Sequence, residues 1–111
     1  MAPRLASGIW VAAYLARLRL AAIPVYVTAR GDDAAGAVLV KLATLDGRAR
    51  VYQRIADPDR GGRSWDVLAE GDEASVDAVI ARARARDRDL WVIEVEDRAG
   101  RTLLDEDGLR H

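Results

Sequence analysis

The chain has 111 residues, a length that suits one domain with its own hydrophobic core. Half of the residues are hydrophobic and 32% are charged, which is typical of a globular protein and excludes a disordered or fibrous one. Seventeen basic and eighteen acidic residues leave a net charge of −1, so no overall field attracts nucleic acid or an anionic membrane. The lack of cysteine excludes disulfides, thiolate metal sites and cysteine nucleophiles, and it suits the cytoplasm, where we expect the protein to act.

The first predicted element is a helix over residues 8–21. Ser7 can cap its start, alanine and leucine dominate its length, and Pro24 follows its end. Arg17 and Arg19 lie about 200° apart on the helix, and the other residues are apolar, so we expect the helix to pack on two sides, against a sheet and against a second copy of the chain. The two arginines also interrupt the apolar run before it reaches the ~20 residues that span a membrane, so no membrane partner is expected.

Four strands are predicted after this helix. The segments VYVTAR (25–30) and SWDVLAE (64–70) each read as one strand, and AVLVKLATLDGRARVYQRIA (37–56) reads as a two-stranded hairpin. The connection DPDRGGR (57–63) is expected to be flexible.

The turn of the hairpin predicts which residues share a face. Asp46 and Gly47 form a favoured two-residue type I′ turn, which pairs Leu42 with Val51. Opposed residues share a face, so the core side is predicted to carry Val38, Val40, Leu42, Val51 and Ile55. The other side is predicted to carry Leu39, Lys41, Arg50, Tyr52 and Arg54. This second set is either a solvated strand face or a basic surface that binds phosphates and stacks a base on its aromatic ring.

A second helix and a fifth strand complete the pattern. Asp72 can cap the helix, whose apolar stripe is Val76, Val79, Ile80 and Ala83. The stretch RDRDLWVIEVEDRAG (86–100) contains the strand, and residues 103–111 are expected to form a flexible tail. The chain is therefore predicted to be a single α+β domain over residues 1–111: a helix, a mostly antiparallel four-strand meander, a second helix and a returning fifth strand.

The fifth strand contains the main candidate for chemistry. Side chains alternate along a strand, so Trp91, Ile93 and Val95 point one way, and Leu90, Val92, Glu94 and Glu96 point the other. The two glutamates would lie ~7 Å apart and could converge on one divalent ion. The simpler interpretation is that they lie at the solvent-exposed end of a strand or form salt bridges with Lys41, Arg50 and Arg54. We therefore expect no metal and no cofactor.

Other catalytic groups are scarce. The only histidine is His111, and the three serines lie where caps and loops explain them, which argues against nucleophilic catalysis. Weak catalytic candidates are therefore limited to Glu94, Glu96 and Lys41. The tryptophans are expected to pack in the core. The residues singled out for binding are Trp10, Lys41, Arg50, Tyr52, Arg54 and Trp91.

Three segments carry a resemblance to a known family. RLASGIWVAAYL (4–15), GDDAAGAVLVK (31–41) and DRDLWVIEVEDRAG (87–100) resemble a small bacterial family, domain of unknown function 1491. Arg88 stands where the family pattern has proline. The resemblance implies no activity. Trp10, Gly36, Lys41, Asp89, Trp91, Glu94 and Glu96 fall within its segments.

Two hypotheses for function follow. The first is a module without catalytic activity that binds another protein or itself, with a homodimer formed through residues 8–21 and with no nucleic-acid partner. The alternative is a metal-assisted enzyme that uses Glu94 and Glu96, with Lys41 neutralising charge on a phosphate-like substrate. The element order is similar to a metal-dependent nuclease core, but Leu39 stands where that core has a metal-binding acid.

Overall fold

A computed structural model describes residues 5–57 and 62–109 of the chain. It contains two helices and a five-stranded mixed sheet in one compact unit, which confirms the α+β prediction. The elements in chain order are α1 (Ser7–Leu20), β1 (Val25–Ala29), β2 (Val38–Ala43), β3 (Arg48–Asp57), β4 (Gly62–Asp72), α2 (Glu73–Arg86) and β5 (Trp91–Glu96). Strands β3 and β4 extend into the connection predicted at 57–63, whose residues 58–61 lie outside the described ranges. Within those ranges, neither helix is long and apolar enough to cross a membrane.

The order of strands differs from the predicted meander of four. The order is β1-β5-β2-β3-β4, so only β2, β3 and β4 form a meander, and β5 lies between β1 and β2. Strand β5 is parallel to β2 and antiparallel to β1. Its residues Trp91, Val92, Ile93 and Val95 are all buried, which is the pattern of a strand covered on both faces. This run of apolar residues suits the place of β5 in the interior of the sheet.

Each face of the sheet has its own core. On one face, α1 contributes Trp10, Tyr14 and Leu18, which pack over Val40 and Ile93. On the other face, α2 contributes Val76, which packs over the apolar side chains Leu39, Val51, Leu90 and Val92. The predicted alternation of β5 is confirmed, because its odd-numbered apolar residues join the first core and its even-numbered ones join the second.

The predicted register of the β2–β3 hairpin is wrong by one residue. Lys41, and not Leu42, lies opposite Val51, and Leu42 lies opposite Arg50. A shift of one residue turns a strand over relative to its neighbour. Val51 therefore shares the α2 face with Lys41. Arg50, Tyr52 and Arg54 lie on the α1 face with Val38, Val40 and Leu42.

A longer turn explains this difference. The backbone N–H of Thr44 donates to the carbonyl oxygen of Arg48 over 3.3 Å, so the loop contains the three residues 45–47 instead of two. The Asp46 carboxylate accepts hydrogen bonds from the Thr44 hydroxyl over 2.6 Å and from the Arg48 N–H over 3.1 Å. Leu45 and Gly47 both have positive φ. The side chain of Asp46 thus stabilises a loop one residue longer than the type I′ turn.

The two helices begin in different ways. Asp72 caps α2 as predicted, because its carboxylate accepts the N–H of Ser75 over 3.0 Å. Ser7 does not cap α1; it is the first helical residue, and its hydroxyl donates to the carbonyl oxygen of Gly36 over 2.6 Å. Loop carbonyls instead accept the first helical N–H groups, as Gly8 shows by donating to Asp33 over 2.9 Å. The loop over residues 31–37 is therefore fixed against the start of α1.

The C-terminal segment packs against α1, which corrects the prediction of a flexible tail over residues 103–109. Leu104 and Leu109 are buried in the first core. The Tyr14 hydroxyl donates to the carbonyl oxygen of Thr102 over 2.8 Å, and the Trp10 indole N–H donates to that of Leu109 over 3.1 Å. The acidic residues of this segment suggested a tail, but Leu104 and Leu109 close the core beside α1. Residues 110 and 111 lie outside the described ranges.

Candidate functional site

Lys41 is a buried cation at the centre of the α2 face. Its side chain is 5% exposed, and its ammonium lies 2.7 Å from Glu73 Oε2, 2.7 Å from Asp77 Oδ1 and 3.2 Å from Glu94 Oε1. Glu94 reaches it because β5 runs parallel to β2 with Glu94 opposite Lys41. Glu73 and Asp77 reach it because residues four apart lie on the same side of a helix. We call these four residues the Lys41 cluster.

The Lys41 cluster keeps the lysine charged. Burial alone would favour the neutral amine, but the hydrogen bonds that the ammonium donates to Asp77, Glu73 and Glu94 outweigh it and hold the pKa of Lys41 above its ordinary value. An ammonium has three hydrogen-bond donors, and three carboxylates accept them. Such a lysine is held as a cation and is poorly suited to act as a nucleophilic amine, which needs a lowered pKa. Its evident effect is to bind α2 to the two central strands.

Glu94 and Glu96, the candidate metal pair, have different neighbours. Glu94 belongs to the Lys41 cluster. Glu96 lies beside the exposed Tyr26, and its negative charge is the main cause that raises the pKa of the Tyr26 hydroxyl. Across the described ranges, no three acidic or histidine side chains are grouped so that they could hold a metal ion. Glu94 therefore contacts Lys41, and Glu96 lies next to Tyr26.

The predicted basic and aromatic set is divided between the two faces of the sheet. Lys41 is on the α2 face, whereas Arg50, Tyr52 and Arg54 are on the α1 face. Arg50 donates to Glu70 over 2.9 Å and to the Tyr52 hydroxyl over 3.3 Å. The guanidinium of Arg54 lies 5.3 Å from the Trp10 ring centre and 5.8 Å from that of Trp65. These three side chains make contacts within the chain, and the structure does not bring Lys41 to them.

The two tryptophans among the binding candidates are core residues. Trp10 is fully buried and stacks on Tyr14 with ring centres 4.9 Å apart. Trp91 is buried, and its indole N–H donates to the carbonyl oxygen of Asp32 over 2.8 Å. The guanidinium of Arg30 lies 5.3 Å from the Trp91 ring centre. Both rings therefore position helix α1 and its N-terminal loop on the sheet.

The outer surface of α1 is apolar, although it faces away from the core. Ile9 is 59% exposed and Leu20 is 88% exposed. Exposed alanines lie between them, and all of these side chains fall within about 100° of the helix circumference. We call this set the α1 stripe: Ile9, Ala12, Ala13, Ala16 and Leu20. Leu5, just before the helix, is 56% exposed and continues the stripe.

A groove runs along one edge of the α1 stripe. Its volume is about 560 Å³, and it separates α1 from the outer strand β1. Ile9, Ala12, Leu15 and Val27 give it apolar walls, and Arg30 and Asp33 give it polar ones. Arg30 and Asp33 are joined by an exposed ion pair of 3.2 Å. The stripe and the groove form one continuous surface beside an edge strand of the sheet.

Sequence reasoning missed several residues of these sites. Glu73 and Asp77 carried a signal, since two acids four residues apart at the start of a helix share one side of it. Asp33 and Val27 carried none, because their position beside α1 follows from the path of the loop and from the place of β1 at the sheet edge.

Comparison with known proteins places the chain in a family. The model of the family described as "Protein of unknown function (DUF1491)" matches residues 5–105. A crystal structure of a DUF1491 family protein from Caulobacter crescentus CB15 is 40% identical, with a TM-score of 0.83 over 93% of this chain and 97% of that chain. An NMR structure of a DUF1491 family protein from Caulobacter crescentus CB15 is 39% identical, with a TM-score of 0.80 over 95% and 96% of the two chains.

A more distant solved structure has the same fold. The solution structure of protein Atu0922 from A. tumefaciens is 30% identical, with a TM-score of 0.72 over 96% of this chain and 92% of that chain. No curated protein matches the sequence.

Proposed function

The chain belongs to the DUF1491 family, whose description names no activity, and from its surface we propose that it is a binding module without catalytic activity that associates with a second copy of itself through the α1 stripe. The observation that carries this proposal is the exposure of Ile9 and Leu20 on the side of α1 that faces away from the core. A helix on the surface of a monomer normally presents charged and polar residues there.

The composition of the α1 stripe suits contact with another helix. Two large side chains stand near its ends, and Ala12, Ala13 and Ala16 lie between them. Small residues allow two helix backbones to approach closely, so that the large side chains of one helix fill the space over the alanines of the other. Burial of apolar surface stabilises such a contact by about 25 cal/mol per Å². A protein partner therefore fits this surface better than a charged polymer does.

The Lys41 cluster supports a module without catalytic activity. All three donors of the Lys41 ammonium face carboxylates, and its raised pKa keeps it charged. Lys41 and Glu94, two of the three residues of the alternative enzyme hypothesis, thus have a structural use that explains their position. A cysteine-free chain suits a reducing compartment, and we propose the cytoplasm as the place where the module acts.

Sedimentation velocity over a range of concentrations tests the proposal. We expect a species of 12.1 kDa at low concentration and one of twice that mass at high concentration. Ala16→Glu places a charge in the middle of the stripe and should abolish the larger species. The matched control is Ala78→Glu, at an exposed position of α2, which should leave the dimer intact. A monomer throughout, or equal dimerisation by both variants, would overturn the proposal.

A further inference from the structure

We infer that the two copies pair through antiparallel α1 helices, with Arg19 of each copy against Asp33 of the other. The inference rests on the proposed self-association and specifies its geometry. It places a two-fold axis perpendicular to the helices, between Ala12 and Ala13. Three observations carry it: the arrangement of large and small side chains along the α1 stripe, the charges along its edges, and the groove beside it.

The α1 stripe is complementary to itself in this orientation. A two-fold axis between Ala12 and Ala13 places Ile9 of one copy opposite Ala16 of the other, so that a large side chain meets a small one. The same axis places Leu20 opposite Leu5, and these are the two exposed leucines at the ends of the surface. A single axis therefore places Ile9 over Ala16 and brings together the exposed leucines at the two ends of the surface.

Opposite charges lie at the two ends of one edge of the stripe. Arg19 is exposed on this edge near the end of α1. The Asp33 carboxylate is on the same edge near the start of α1, because a Cβ built on Gly8 would come within 2.8 Å of Asp33 Oδ1. The two positions are about 16 Å apart along the helix, from Gly8 to Arg19. A two-fold axis perpendicular to the helices keeps this edge on the same side in both copies, so each Arg19 faces the other copy's Asp33.

The groove receives the side chain that makes this contact. It lies on the same edge, between α1 and β1, and Asp33 lines it. The aliphatic part of an arginine can lie along an apolar wall such as that of Ile9 while its guanidinium meets a carboxylate. Arg30 lies 3.2 Å from Asp33 within the chain, and a carboxylate can accept hydrogen bonds from two guanidinium groups.

The charges disfavour a parallel pair of α1 helices. With the two-fold axis along the helices, the edge that carries Arg19 would meet the opposite edge of the other copy, which carries Arg17. Arg19 would then face an arginine, itself paired with Glu106 over 3.3 Å, and no longer the Asp33 carboxylate, and the helix dipoles would also align unfavourably. The antiparallel pair gives Arg19 a carboxylate and opposes the two dipoles.

The size of the surface predicts a weak dimer. A helix of 14 residues is about 21 Å long, so two such helices in contact bury less than the roughly 1,600 Å² of a standard protein interface. We therefore expect dissociation in the micromolar range.

Cysteine crosslinking distinguishes the two orientations, since the natural chain has no cysteine. Single Ala12→Cys and Ala13→Cys variants should form covalent dimers under mild oxidation, because both positions adjoin the axis. Leu20→Cys should not, because its two copies would lie about 20 Å apart. Ala78→Cys on α2 is the control for random collisions. Faster crosslinking of Leu20→Cys than of Ala12→Cys would overturn the antiparallel geometry. If sedimentation still shows a dimer, the proposed function stands without this geometry; if it shows none, both fail.

Charge reversal tests the contact between Arg19 and Asp33. Arg19→Glu and Asp33→Lys should each weaken dimerisation by about fivefold, as expected for an exposed ion pair. The double variant should recover most of the affinity, since it restores opposite charges. Thermal melts at a dilution that gives monomers separate this effect from damage to the fold. Additive losses in the double variant would overturn the contact, because they would show that the two side chains act independently.

Discussion

Lys41 and Glu94 lie directly opposite each other on the parallel strands β2 and β5, with Nζ 3.2 Å from Oε1. This pair joins two interior strands of the sheet, and Asp77 connects α2 to them with a contact of 2.7 Å to Lys41. The lysine is nearly inaccessible, whereas Asp77 is about half exposed. Removal of the lysine would therefore leave carboxylates that can still reach water.

We expect Lys41→Met to lower the free energy of unfolding by about 2 kcal/mol. Methionine fills similar space but donates no hydrogen bond, so three neighbouring carboxylates lose their common cation. The effect stays below that of a fully buried pair because Glu73 and Asp77 are partly hydrated. Urea unfolding measures it. Lys41→Arg is the matched control, since it keeps the charge. Equal stability of Lys41→Met and the natural protein would contradict a structural role for the Lys41 cluster.

The contribution of the Lys41 cluster to the free energy of unfolding should decrease at alkaline pH. The folded-state pKa of Lys41 lies above its ordinary value, so its contribution is complete below the unfolded-state pKa of about 10.4 and is lost as pH rises through the folded-state pKa. The difference in unfolding free energy between the natural protein and Lys41→Met should therefore stay constant from about pH 7 to 9 and decrease above about pH 10. Urea titrations at several pH values measure it. A decrease already below pH 9 would indicate a lowered pKa instead.

Asp72, which caps α2, should stabilise the folded protein at neutral pH and lose this effect in acid. Hydrogen bonds from the Ser75 hydroxyl and backbone N–H lower the pKa of this carboxyl. Its contribution is therefore present above the unfolded-state pKa and is lost as pH falls through the folded-state pKa. Asp72→Ala should melt at a lower temperature at pH 7 and approach the natural protein in acid. Asp72→Asn keeps an acceptor that does not titrate, so it should melt close to the natural protein at pH 7.

Gly36 should not tolerate alanine, for steric reasons. A Cβ at this position would clash with the backbone oxygen atoms of Asp89 and Asp32, and neither belongs to a flexible side chain. We expect Gly36→Ala to destabilise the fold by about 3 kcal/mol or more, as measured by urea unfolding. Gly100→Ala is the comparison, because it has open space and only a positive φ, which costs about 1 kcal/mol. A smaller effect at Gly36 than at Gly100 would show that the loop moves easily.

The C-terminal segment should contribute to the stability of the whole domain. Leu104 is 4% exposed in the first core, so Leu104→Ala should lower the free energy of unfolding by about 2 to 4 kcal/mol. Leu68→Ala, at an exposed position of β4, is the control and should have a much smaller effect. Chemical denaturation followed by tryptophan fluorescence suits this test, because Trp10 and Trp65 both donate to the Leu109 carbonyl. Equal effects at the two leucines would indicate a detached tail.

Local patterns in the sequence predicted the elements and several of their contacts. The alternation of Trp91 and Ile93 with Val92 matches the two cores, and the Asp72 cap matches the start of α2. These features depend on the period of a strand and on the side chain next to a helix, and both can be read from neighbouring residues.

Features that depend on distant parts of the chain were harder to predict. Hairpin loops of two and three residues differ little in stability, yet the choice decides whether Lys41 or Leu42 faces Val51. The start of α1 was predicted to need the Ser7 side chain, but a loop more than twenty residues away supplies the acceptors. The place of β5 had a signal that could have been used, because the continuous apolar run LWVI (90–93) indicates a strand covered on both faces.

The position of β5 also has a consequence for synthesis of the protein. Among the described strands, β1 pairs only with β5, so its backbone has no partner in the sheet until Val95 can lie opposite Val25. On the ribosome, the meander of β2, β3 and β4 can form early, while β1 and the outer side of β2 keep open edges until residues 91–96 have emerged. Contacts so distant in sequence slow folding and leave edges available to other chains. The edges of β1 and β2 therefore stay open to other chains until β5 is present.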